Sequence, residues 1–267
     1  MIQSNLQFKV VLGSKKFKIE IMKNYDPLII EFLSDVSKDI FSNNSTKEFP
    51  DLISFAFWIR KSNIILNKNK KYGNNSLGLG LAFHIPPSNI PLNFAYSFVF
   101  GLIGGNSNVV RVPSDNTQQG KILINILKKI LKKNKYSKII NTNLLIKYNH
   151  NYEVNNYFSK ISDCRLIWGG DQTIEEFKKY KTKPTNIDII FPDKYSLSII
   201  NSDEVIKSKK IELINLVKNF YNDTYLFDQN ACTSPHLIIW TGKSKTNAKK
   251  IFWHMLHKYL KENYKYN

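Results

Sequence analysis

Cys232 is the residue with the most chemistry to offer. It stands in the run Asp228-Gln229-Asn230-Ala231-Cys232-Thr233-Ser234-Pro235, between a polar loop and an apolar stretch that reads as a strand. A thiolate attacks carbonyl carbon readily, and a turn entering a strand leaves backbone N–H groups free to face a developing oxyanion. A lone cysteine is more often a small inert core residue. The flanking Gln229, Asn230, Thr233 and Ser234 make an unusually polar surround for that role. The other cysteine, Cys164, is remote in sequence; a distant pair in a chain with no export signal argues against a structural disulfide, and two thiols cannot build a zinc knuckle. A second reactive spelling is Trp168-Gly169-Gly170-Asp171, where glycines would allow a close backbone approach and a following helix would offer free N–H groups to an anion. The same letters also spell an ordinary tight turn, and Asp171 is expected as the helix N-cap. Of five histidines, His254 and His257 lie three apart on a helical pattern, but no third ligand is placed, so no metal site is expected. His84 and His236 sit in strand-like runs and are expected to pack or to support neighbouring groups.

These residues need elements to hold them. Residues 7–12 and 16–22 alternate as strands should around Gly13-Ser14, which predicts a small hairpin. Apolar spacings of three and four predict helices over residues 27–41 and 49–67. From Leu77 the pattern becomes strand, loop, helix, repeated: strands at 77–85, 106–112, 138–148, 164–170 and 186–191, with helices at 92–103, 119–132 and 171–179. Such alternation predicts a parallel sheet covered on both faces, with ligands collecting at the carboxyl ends of its strands. "PPSN", "PSDN" and "WGGD" all fall at those ends. Beyond Phe191 a strand near 195–200, a helix over 203–220, the strand "HLIIW" and a terminal helix over 246–263 complete the pattern. That last helix carries Ile251, Phe252, Met255, Leu256, Tyr259 and Leu260 on one stripe, which reads as a core face.

Composition bounds the answer. The 267 residues are 42% hydrophobic and 22% charged, enough apolar side chain for one large or two modest domains, and not the composition of a disordered chain. The longest uncharged run, from Tyr72 to Val110, is broken by prolines and glycines, and its best helical stretch is shorter than the roughly 20 residues a bilayer crossing needs. No membrane span is expected. Residues 1–11 lack a basic start followed by an apolar block, so no secretory signal is visible and a cytoplasmic location is expected. The formal charge of +18 would suit nucleic acid. Yet arginine occurs only at Arg60, Arg111 and Arg165, and no helix interleaves basic residues with aromatics, so no nucleic-acid partner is expected. Surface lysine from an AT-rich genome, or attraction of an acidic small ligand such as a nucleotide or coenzyme A, accounts for the charge instead.

Taken together, residues 83–115 ("FHIPPSNIPLNFAYSFVFGLIGGNSNVVRVPSD"), 165–174 ("RLIWGGDQTI"), 187–199 ("IDIIFPDKYSLSI") and 222–235 ("NDTYLFDQNACTSP") resemble the aldehyde dehydrogenase superfamily, and within it the fatty acyl-CoA reductases of the bacterial luminescence type, the LuxC family. The segments occur in that superfamily's order. The resemblance implies Cys232 as nucleophile and Asn89, in "PSNIP", as the amide that faces the substrate oxygen. It implies that "NVVRVPSD" holds the adenosine end of a nicotinamide cofactor, with Arg111, Ser114 and Asp115 near the ribose, and that Gly169 and Gly170 form the pyrophosphate turn. The superfamily usually has lysine just before Pro-Ser; here Val112 stands there, and alternation along a strand turns Arg111 the other way. Hydrolytic members carry a water-activating glutamate near the position of Ile190, and no glutamate lies nearby. Asp188 and Asp193 are the closest carboxylates, and neither is assigned as a base. Loss of that base suits a reductase, whose acyl thioester must survive until it is reduced.

The expectation is therefore an α/β chain: an aldehyde-dehydrogenase-like, Rossmann-type parallel-sheet domain over residues 1–190, with its N-terminal segment, and the beginning of a second α/β catalytic domain over 191–267. The resemblance implies NADPH as cofactor and acyl-CoA or another acyl thioester as substrate. The chain ends 35 residues after Cys232, where family members continue, so a C-terminally truncated domain is expected, with homo-oligomer contacts or a complementing C-terminal chain as partners. The rival from another class is a non-catalytic nucleotide-binding or lysine-rich interaction protein.

Overall fold

A computed structural model describes residues 6–14, 16–71, 76–87, 89–113, 117–226 and 228–264. The chain divides into two units, Met1–Pro192 and Asp193–Asn267.

In the first unit, β1 (Lys9–Leu12) is followed by α1 (Pro27–Ser42), α2 (Pro50–Trp58) and α3 (Lys61–Lys71). The alternation foreseen from Leu77 then runs through β2 (Leu81–Ile85), α4 (Asn93–Ile103), β3 (Ser107–Arg111), α5 (Gln118–Leu131), α6 (Ser137–Thr142), β4 (Asn143–Lys147), α7 (Tyr152–Ile161), β5 (Cys164–Trp168), α8 (Asp171–Lys178) and β6 (Ile187–Phe191). β2 is buried at all five positions and β3, β4 and β5 at all but the last, as strands covered on both faces must be. The sheet order is β1-β4-β3-β2-β5-β6, parallel throughout except for the antiparallel edge strand β1. Order therefore runs one way through β2, β3, β4 and reverses at β5, β6, which makes the gap between the carboxyl ends of β2 and β5 a topological switch point. One core cluster joins α1, α2, α4 and α5; another joins α7, α8 and the opposite sheet face.

Helix α4 lies unusually close to the sheet. A Cβ at Gly101 would overlap Asn108 Oδ1 and come within 2.9 Å of His84 Cε1. Beneath it a polar chain crosses three strands. His84 Nδ1 meets Ser97 Oγ at 2.8 Å, His84 Nε2 meets Asn108 Oδ1 at 2.9 Å, and Asn108 Nδ2 donates to Asn143 Oδ1 at 2.7 Å. Because the Asn108 amide nitrogen is committed to Asn143, its oxygen accepts, so His84 carries its proton on Nε2 and Nδ1 accepts from Ser97.

Four expectations fail here. Residues 16–22 form no strand with β1, which pairs with β4 instead. The segment's N–H groups are satisfied piecemeal, Lys18 by Asn141 O, Glu20 by Ser107 Oγ and Met22 by Gly105 O. The helix foreseen over 49–67 breaks at Ile59-Arg60 into α2 and α3. The strand foreseen over 138–148 begins only at Asn143, because Ile139 is drawn into the core from a helical turn. Helix α7 was not foreseen.

In the second unit, β7 (Ser196–Asn201), α9 (Ser202–Lys207), α10 (Lys210–Thr224), β8 (Pro235–Thr241) and α11 (Lys245–Asn263) form a parallel strand pair with helices on one face. The single helix foreseen over 203–220 is thus two. Ile200, Ile238 and Trp240 pack with Val217, Phe220, Ala248, Phe252 and Leu256. The stripe on α11 is a core face, with Phe252 and Leu256 buried and Met255, Tyr259 and Leu260 packed against them, but Ile251, expected on the same stripe, lies outside the core and is exposed. On the other face Leu197 pairs with Leu237 and Ile199 with Ile239, and all four are exposed, Ile199 to 65%.

Candidate active site

The switch point in the first unit is bounded by two turns. Ile85 of β2 pairs with Ile167 of β5, so both strands end at the same sheet edge. The chain leaving β2 passes Pro86, Pro87 and the exposed Asn89 before entering α4. The chain leaving β5 passes Trp168, Gly169 and Gly170 into α8. A Cβ on Gly169 would meet the Thr173 side chain at 3.0 Å, so the turn needs glycine there. Gly169 N–H donates to Phe191 O at 3.2 Å, and the Trp168 ring stacks on Phe191 with centroids 3.9 Å apart, which ties the ends of β5 and β6 together.

Gly170, not Asp171, occupies the cap position of α8, and no side chain caps the helix; Asp171 is its first helical residue and exposed. The expectation of an aspartate cap is corrected, because the chain enters the helix one residue earlier and leaves the carboxylate outside. The first N–H to bond back along α8 is that of Ile174, to Gly170 O, so the preceding N–H groups have no intrahelical acceptor. At the end of β5, Trp168 Nε1 is buried with no hydrogen-bond partner among the described residues. An unpaired donor, a glycine turn and open helix N–H groups at the switch point fit the acceptor-rich pyrophosphate and ribose of a nicotinamide dinucleotide.

One strand further along, Arg111 ends β3 partly buried, its guanidinium carbon 5.0 Å from the centroid of the Tyr148 ring, while Val112 is buried. Tyr148 is itself anchored by donating to Asn155 Oδ1 at 2.6 Å. This platform under Arg111 was invisible in sequence, although an aromatic closing a buried strand is the kind of signal that could have marked it. Ser114 and Asp115 lie outside the described residues. Asp188 is taken up by Arg165, whose Nε and Nη2 reach its two oxygens at 2.8 and 2.5 Å. Burial pushes the Asp188 carboxyl up, but the hydrogen bonds from Arg165 and Asn186 outweigh it and hold the group below the usual carboxylate range.

In the second unit Cys232 rides on a fastened loop. Asp228 and Gln229 adopt left-handed backbone, with φ of 50° and 63°, and Gln229 N–H returns to Thr224 O at 2.9 Å. Ala231 and Ser234 are buried on either side, and Ser234 Oγ donates to Asp223 O at 2.9 Å. Ser196 Oγ donates to Cys232 O at 2.7 Å, pinning the residue to the start of β7. The Cys232 residue is exposed. Cys164, by contrast, is buried in β5, and burial together with the carboxylates of Asp188 and Asp163 pushes its thiol up to about 11. Among the described residues no group of three histidine, cysteine or acidic side chains could hold a metal, and no helix is long and apolar enough to cross a membrane.

No curated protein matches the chain. Its fold is similar to that of solved aldehyde dehydrogenases. These include betaine aldehyde dehydrogenase from Staphylococcus aureus (TM-score 0.64, 14% identity, over 88% of this chain and 50% of that one). Others are 1-pyrroline-5-carboxylate dehydrogenase from Thermus thermophilus (0.63, 11%, 89% and 50%) and an NAD-dependent benzaldehyde dehydrogenase from Corynebacterium glutamicum (0.63, 12%, 88% and 55%). The chain spans about half the length of the solved structures it matches, such as the 49% covered of an aldehyde dehydrogenase from Burkholderia cenocepacia. At the sequence level, residues 59–265 match the model of the acyl-CoA reductases, LuxC, and the chain belongs to that family.

Proposed function

We propose that the protein acts in the NADPH-dependent reduction of a fatty acyl thioester, acyl-CoA above all, to the aldehyde through an acyl-enzyme on Cys232. The observation that carries the reading is the exposed cysteine on a loop locked from both sides, in a chain of the LuxC family. The thiolate of Cys232 adds to the acyl carbonyl, forming the carbon–sulfur bond and moving a pair of electrons to oxygen. The Asn89 amide and a backbone N–H are assigned to hold that oxyanion. Its collapse expels the thiolate of coenzyme A, which takes a proton from solvent, and leaves the acyl group on sulfur. A reduced nicotinamide dinucleotide, when bound, supplies the hydride that turns the thioester into aldehyde and free thiol. Gly169 and Gly170 with the N-terminus of α8 receive its pyrophosphate, and Arg111, braced by Tyr148, its adenosine end, where a cation favours the 2′-phosphate of NADPH. Ser114 and Asp115 are assigned to the ribose. Asp188 cannot serve as a water-activating base while Arg165 holds both its oxygens, which supports survival of the thioester.

Half-length coverage of the dehydrogenases, and the exposed face of β7 and β8, support a further chain, a second copy or a complementing C-terminal segment, as partner. A second reading, favoured by the uncapped N-terminus of α8 and the unpaired Trp168 Nε1 taken alone, is a nucleotide-binding chain without turnover.

The deciding experiment incubates the protein with radiolabelled tetradecanoyl-CoA and follows covalent label and NADPH binding side by side. The native chain becomes labelled, Cys232→Ala does not yet binds NADPH unchanged, and Asn89→Ala labels about 100- to 1,000-fold more slowly. Label retained on the alanine variant overturns the assignment; NADPH binding without any labelling of the native chain supports the second reading.

A further inference from the structure

We propose that a cavity at the C-terminal end of α4 receives the far end of the acyl chain and sets the longest chain the protein accepts. The inference rests on the reading above, which puts the acyl carbonyl at the Asn89 turn. The cavity holds about 390 Å³, within the range of small-molecule sites, and lies between α2, α3, α4 and the segment before α1. Among the described residues no charged side chain lines it; its walls include Trp58, Ile64, Val99, Phe100 and Ile103, with Asn24 and Asn67 as uncharged polar members. Such a lining holds neither phosphate nor carboxylate and suits an aliphatic tail.

The cavity is joined to the Asn89 turn by a single helix face. α4 is otherwise buried, and the positions that are not, Asn93, Tyr96, Phe100 and Ile103, recur at spacings of three and four. Phe100 is 51% exposed on a helix whose neighbours are core, and the Trp58 ring packs against Tyr96 and Phe100 at 5.0 and 5.3 Å to form the facing wall. From Asn93 to Ile103 a helix advances roughly 15 Å. An extended chain advances about 1.2 Å per bond, so this face matches roughly a dozen carbons.

The far wall is polar and fixed. Tyr25 N–H donates to Ile103 O at 2.8 Å and Asn24 N–H to Ser76 O at 3.0 Å, which locks that segment against the end of α4. Asn24 Oδ1 is buried there with no hydrogen-bond partner among the described residues. Water in an unfilled cavity can satisfy that acceptor, whereas a methyl terminus pressed against it strips the water and returns nothing. Asn24 is therefore the stop, and Val99 and Ile103 are the floor.

The test titrates the full chain with a ladder of saturated acyl-CoAs from hexanoyl to hexadecanoyl, displacing a fluorescent fatty acid. In the native protein affinity rises about four-fold per added methylene and levels near a dozen carbons. Ile103→Phe brings the plateau forward by roughly two to four carbons with hexanoyl-CoA unchanged, and Asn24→Leu moves it to longer chains. A melting curve checks that each variant folds; if Ile103→Phe does not, Phe100→Ala, at the open rim, weakens only the long chains, by about 3- to 10-fold. Folded variants whose plateau stays where the native one lies overturn the pocket while leaving acylation of Cys232 intact. Cys232→Ala keeps the whole ladder, so loss of labelling and loss of length selection are read separately. No acyl-CoA binding at any length overturns both.

Discussion

Removing the His84 ring from water penalises its charged form, and burial pushes its pKa down to about 4 against the smaller upward pull of the hydrogen bond to Asn108. The unfolded chain, with an ordinary histidine near 6.5, binds a proton that the native state refuses. The stability owed to this group is thus present above pH 6.5 and lost as pH falls toward 4. Native protein should be about 2 kcal/mol less stable at pH 5 than at pH 7 from this residue alone, and His84→Asn should flatten that part of the slope in urea unfolding. A slope unchanged by the substitution would locate the titration elsewhere. At this scale the sequence was half legible. Cys232 stood out by its polar neighbours, whereas Asn108 and Asn143 read as ordinary strand residues, because a hydrogen bond across three strands leaves no mark on spacing.

Arg165 clamps one element to the next. From β5 it reaches Asp188 on β6, Ser159 Oγ on α7 and Phe177 O near the end of α8, so four N–H donors of one guanidinium bind three other elements to β5. Truncation to Met leaves Asp188 without its cation and orphans a buried carbonyl. With Asp188 a quarter exposed, the cost should be about 2–3 kcal/mol, and the Arg165→Met, Asp188→Leu double variant should recover part of it in denaturant titration. Equal stability of the single variant and the native chain would deny the clamp its role. Elements of strong period, such as β2, α4 and α11, were legible because burial on one or both faces dictates them. The breaks were not. Ser208 and Lys209 end one helix and start another with no proline or glycine, the new start being held by Lys209 N–H donating to Glu212 Oε2 at 2.6 Å. Residues 16–22 alternate like a strand but find their acceptors in loops.

At the scale of the whole molecule, the outer face of β7 and β8 is an exposed apolar surface. A parallel pair is ordinarily covered on both sides, and two strands alone are marginal. Four aliphatic side chains stacked in register are an adhesive patch that the charge of +18 opposes only at low salt. Light scattering should show association that grows with salt and concentration, and Ile199→Lys should suppress it several-fold without lowering the melting temperature. Association that ignores this substitution would direct attention to another face. The alternation of β7 and β8 was legible in sequence; which of their faces is left exposed was not, since that depends on strand register.

Gly101 touches no candidate ligand, yet the seating of α4 depends on it: any side chain there must lift the helix off Asn108 and His84. The helix begins just after Asn89 and ends at the cavity, so lifting it disturbs both at once. Under the proposed acyl reduction, a blind genetic screen for lost aldehyde output would accordingly return alleles of this glycine, and their sickness would look like a defect in handling the acyl group, although the lesion is a notch in the scaffold.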